Sequence, residues 1–87
     1  MALFNYKIWT NDGLITKEDP SEIRHVDAKA AVEEFAETYD QNGNMYFANN
    51  PKGYPDVIIL CEDERGHITK WNMNVEAIPQ YYATEVK

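Results

Sequence analysis

Between residues 60 and 71 the chain reads LCEDERGHITKW, which sets its only cysteine, Cys61, beside Glu62, Asp63, Glu64, Arg65 and His67. A cysteine and a histidine can form a nucleophile and its base, and with carboxylates they can hold a metal ion. Both chemistries need more than this run offers. One cysteine and one histidine do not complete a structural zinc site, and the second histidine, His25, falls in a different predicted strand. A nucleophilic thiol needs a neighbour arranged to lower its pKa, and none is evident. The sequence also lacks a glycine-rich phosphate loop, a Gly-x-Ser-x-Gly elbow and a His-Glu-x-x-His pair. We therefore assign no catalytic residue, metal ligand or cofactor, and expect a non-enzymatic protein. Glu62, Asp63 and Glu64 are read as a solvated turn, with anchoring of a basic partner as the other reading.

The elements around this run settle its geometry. If Glu64, Arg65 and Gly66 form the loop of a hairpin, with the glycine in a left-handed conformation, then Val57 faces Met73, Ile59 faces Trp71 and Cys61 faces Thr69. That pairing gathers the strongest apolar residues of both strands on one face. A slip of one residue sets Ile59 against Lys70 and sends Trp71 to the wrong side.

LFNYKIWT alternates Phe4, Tyr6 and Ile8 against Asn5, Lys7 and Trp9, which predicts a first strand with the former set inward. NDGLITKEDPS is a loop opened by an Asp-Gly turn, with room for a short paired segment at Leu14 to Thr16. EIRHV predicts a second, short strand. In DAKAAVEEFAETYD, Ala28, Ala31, Val32, Phe35 and Tyr39 recur at helical spacing, predicting an amphipathic helix over 28 to 40 with Asp27 as its N-cap and Gly43 ending it. Met45 to Ala48 reads as an edge strand, and the six tyrosines read as core-edge residues whose rings pack and whose hydroxyls reach water, with Tyr81 and Tyr82 of the Pro/Tyr tail as part of a contact surface in the other reading. The expected fold is α+β: a single domain over residues 1 to 87, with an antiparallel sheet of about four strands and one helix packed on one face. Val32, Phe35, Ile59 and Trp71 should be central to its core.

Composition narrows the function. Eight basic residues against fifteen acidic ones give a net charge of −7, which repels phosphate backbones and attracts basic surfaces, so direct nucleic-acid binding is disfavoured. The longest apolar run, VIILC, is far short of the roughly 20 residues that span a bilayer as a helix. A lone cysteine and a start without a basic leader favour a reducing, cytoplasmic setting.

The plan of a strand, then DAKAAVEEFAETYD, then DVIILCEDERGHITKWNMNVEAIPQYYAT as a hairpin with a Pro/Tyr tail, resembles that of many short accessory proteins of bacteriophages and other mobile elements. Among these are small acidic inhibitors of host defence, of the anti-CRISPR and antirestriction type. The resemblance covers most of the chain. It implies an inhibitor acting in the host cytosol on a CRISPR or restriction complex. Such inhibitors share no common fold, so it assigns no residue.

Two binding surfaces follow from the residues themselves. One is an exposed acidic stripe on the helix, Glu33, Glu34, Glu37 and Asp40, placed to meet lysines or arginines that normally hold nucleic acid. The other is the sheet face away from the helix, where Trp9, Ile58 and Leu60 would form an apolar contact for a partner or for a homodimer, unless the loop of residues 11 to 21 or the tail folds over them.

Overall fold

The structure is a computed structural model that describes residues 2–41, 58–77 and 80–86, with the side chains of 74–77 and 80 left aside. Among the described residues, five strands and one helix follow in the order β1 (Phe4–Thr10), β2 (Ser21–His25), α1 (Ala28–Tyr39), β3 (Ile59–Glu62), β4 (Ile68–Ala77) and β5 (Gln80–Glu85). The strands form one curled antiparallel sheet in the order β2-β1-β3-β4-β5. The expected α+β class is present, with one helix among the described residues. The extra strand is β5, whose residues read as a tail in the sequence. The predicted edge strand at Met45 to Ala48, the Gly43 cap and the Val57–Met73 pair lie outside the described residues.

The β3–β4 hairpin has the expected register, with Ile59 opposite Trp71, Leu60 opposite Lys70 and Cys61 opposite Thr69. Its loop closes through Asp63 N–H to His67 O at 3.0 Å and Gly66 N–H to Asp63 O at 3.1 Å. Gly66 has φ 83°, the left-handed region that a side chain disfavours. The Asp63 carboxylate accepts the N–H groups of Arg65 and His67, each at 2.9 Å, so the acid two residues after the cysteine organises the turn.

Alternation along each strand supplies the core. Tyr6, Ile8, Ile59, Cys61, Trp71, Met73 and Ala83 face Ala31, Val32, Phe35 and Ala36 of α1, and all are buried. The buried indole of Trp71 donates to Thr69 Oγ1 at 2.7 Å, which satisfies its one polar atom. Asp27 caps α1 as predicted, its Oδ1 accepting Ala30 N–H at 2.7 Å. The helix packs most extensively against β5 and β2, the two outer strands, because the curl brings both edges of the sheet toward it.

The loop between β1 and β2 forms no paired segment at Leu14 to Thr16. Instead Thr10 N–H donates to Ile15 O at 2.9 Å, Ile15 N–H donates to Thr10 Oγ1 at 3.0 Å, and Asp12 Oδ1 accepts Leu14 N–H at 3.0 Å. Phe4, expected inward, is 43% exposed. The β1–β3 ladder starts only at Lys7, so Phe4 lies beyond the end of β3.

Candidate functional site

The four helix acids do not form an exposed stripe. Asp40 is 2% exposed, and its Oδ2 accepts the Tyr81 hydroxyl at 2.8 Å. Glu33 Oε2 accepts Ala83 N–H from β5 at 3.0 Å and Lys29 Nζ at 2.8 Å. Glu37 accepts from Gln41 Nε2 at 3.1 Å. Glu34 alone of the four is exposed, with His25 Nε2 3.9 Å from its Oε1. Positions 33, 37 and 40 share one helical face, and that face is turned toward β5 rather than to solvent. Burial, with the Asp40 carboxylate beside it, pushes the Tyr81 hydroxyl up to about 12.

The outward sheet face is also partly covered. Trp9 points away from the helix as expected, yet it is 7% exposed. Lys17 of the β1–β2 loop stands over its ring, with Nζ 5.7 Å from the centroid. The same loop is tied to β3 through Asn11, whose N–H donates to Ile58 O at 3.0 Å and whose Oδ1 accepts Ile58 N–H at 2.8 Å. Ile58 and Leu60 are half-buried, while Ile68 and Tyr82 on the same side are exposed.

Cys61 is fully enclosed, and burial pushes its thiol up to about 12, so it stays a neutral core side chain where a nucleophile requires the thiolate. Tyr6, Asp63, His67 and Thr69 line a small cavity of about 100 Å³ with it. Among the described residues, no group of three or more His, Cys, Asp or Glu side chains is placed to hold a metal ion. No helix among them is long and apolar enough to cross a membrane.

Carboxylates do converge at the hairpin end of the sheet. Lys7 stands opposite Glu22 on β2 and opposite Glu62 on β3, so one row across the outward face reads acid, cation, acid. Glu64 reaches from the hairpin loop and its Oε2 accepts Asn5 N–H at 2.8 Å, which pins the loop against β1. Together Glu22, Glu62, Asp63 and Glu64 surround Lys7 in an open cleft of about 260 Å³. A second cleft, of about 300 Å³, shares Asp63 and Glu64 and adds Phe4, Tyr6 and Arg65. Hydrogen bonds from the loop backbone, His67 N–H first, hold the Asp63 carboxyl below its usual range, so it remains ionised.

This corner sets four carboxylates against Lys7, with Arg65 in the adjoining cleft, an excess of negative charge that can accept further lysine or arginine side chains. Of its residues, Glu62, Asp63 and Glu64 are visible in the sequence as a run. Glu22 is not, because its place opposite Lys7 depends on how the long β1–β2 loop returns the chain. Compared with known proteins, the chain matches no family model, no curated protein and no solved structure.

Proposed function

We propose that the protein is a non-enzymatic binding module that occupies the basic surface of a protein partner and thereby blocks a nucleic-acid-handling complex, a host CRISPR or restriction complex being the class that its plan resembles. The observation that carries this reading is the cleft of four carboxylates around Lys7 at the hairpin end, in a chain of net charge −7. Acids held on a rigid sheet corner stand where phosphates would otherwise sit, and a field of this sign speeds encounter with a basic surface. Each exposed ion pair contributes only about 0 to 1 kcal/mol, so binding requires the cluster and not a single glutamate. The test is a pull-down from host lysate, followed by measuring whether the captured partner still binds DNA or RNA. Release of nucleic acid on addition of the protein supports the reading, and a partner that keeps its nucleic acid contradicts it.

A second reading is favoured by exposed Ile68 diagonally across from half-buried Leu60: an apolar contact on the outward sheet face, for a partner or a second copy. With Trp9 covered, that contact centres on Leu60. The solution masses of wild type and Leu60→Lys decide it. A dimer that the substitution dissolves favours the apolar face, whereas monomers in both cases leave that face without a role in self-association.

A further inference from the structure

We propose that the outer edge of β2 receives an extended segment of the basic partner as an added strand, a mode of binding that rests on the reading of this protein as a binder of basic surfaces. The two edges of the sheet are treated differently. On β5, the Glu33 carboxylate takes the Ala83 N–H, an outward main-chain donor, and Asp40 takes the Tyr81 hydroxyl, so helix side chains are bonded along that strand. On the other side β2 is the last strand of the sheet among the described residues, and alternate residues of such a strand direct N–H and C=O groups outward.

Next to that edge runs a groove of about 270 Å³ between β2 and α1, lined by Ser21, Glu22, Ile23, Phe35, Thr38 and Tyr39. A strand edge beside an apolar groove provides both parts of strand addition: main-chain hydrogen bonds for affinity and a pocket for alternate side chains. Glu22 lines this groove and also the carboxylate cleft on the outward face. Glu34 adds negative charge on the helix beside β2, within 3.9 Å of His25. Arg24, exposed on β2 opposite Asn5, biases incoming cations toward the Glu22 end. A segment laid along β2 therefore places one side chain in the groove and the next near Glu22, which selects alternating apolar and basic residues.

The test uses an end-blocked peptide of alternating lysine and valine, and an oligolysine of equal charge, titrated into the isotope-labelled protein. The alternating peptide should shift the amide resonances of residues 21 to 25 and bind at least about tenfold more tightly than oligolysine, the worth of a few main-chain hydrogen bonds. Thr38→Arg, a change at an exposed position that fills the groove mouth, should bring its affinity down to that of oligolysine while leaving the rest of the amide spectrum in place. Equal affinity for both peptides, shifts confined to residues 62 to 66, or an unaffected Thr38→Arg would overturn strand addition and leave the carboxylate corner as the site. Binding of neither peptide would overturn both.

Discussion

Cys61 lies next to a run of acids yet faces the core, and this placement has a measurable consequence. Its folded pKa stands at about 12 against an ordinary 9.0, and that of Tyr81 at about 12 against 10.0. The folded protein therefore holds these protons at pH values where the unfolded chain releases them. Stability from both groups is complete below about pH 9 and is lost as pH rises from there toward 12. Urea unfolding at about pH 8 and about pH 10.5 should show this fall, and Cys61→Ala should lessen it. The Tyr81 and Asp40 pair makes a second prediction at this scale. Tyr81→Phe removes the 2.8 Å donor from a buried carboxylate and should cost about 1 to 3 kcal/mol in the same measurement.

Among the elements, the hairpin was the most legible and β5 the least. Ile59, Cys61, Trp71 and Met73 share one parity across a short glycine loop, so a single register satisfies the core. Gly66 tests that loop directly. Its added Cβ would meet only Glu62 Oε2 at 3.8 Å, so the penalty of Gly66→Ala is backbone strain at φ +83°, about 1 to 2 kcal/mol by thermal or urea melts. Asn, which tolerates that region better, should recover part of it. In β5 the inward residues are Tyr81 and the small Ala83, a weak apolar signal that follows a proline. Missing β5 also produced the error on the helix. Glu33, Glu37 and Asp40 have the spacing of a solvent stripe, but they lie on the face to which β5 is bound, and only long-range pairing reveals that. At Trp9 the outcome is the alternative that the sequence left open, the loop of residues 11 to 21 lying over it, although a lysine in a polar loop gave no signal that Lys17 would be the residue over the indole. Glu33 joins α1 to the β5 edge, so Glu33→Ala should destabilise by about 1 kcal/mol, more than Glu33→Gln, which keeps an acceptor for Ala83 N–H.

For the whole molecule, the excess of acids was readable from composition, but its focus at the hairpin end was not. That focus needs β1 to bring Lys7 between Glu22 and Glu62, and Glu64 to fold back onto Asn5. Binding through such a corner should weaken steeply between low and moderate salt, because exposed charges are screened within about 10 Å at 0.1 M ionic strength. Binding through Leu60 and Ile68 would persist. The most direct measurement is displacement of labelled DNA or RNA from the captured partner by wild type and by the triple variant Glu22→Gln/Glu62→Gln/Glu64→Gln, in which the amide oxygen introduced at position 64 can still accept Asn5 N–H. Wild type should release the nucleic acid, and the folded neutralised variant should need at least about tenfold more protein to do so, the sum of a few ion pairs of about 0 to 1 kcal/mol each. Equal displacement by the two proteins would contradict the carboxylate corner as the binding surface.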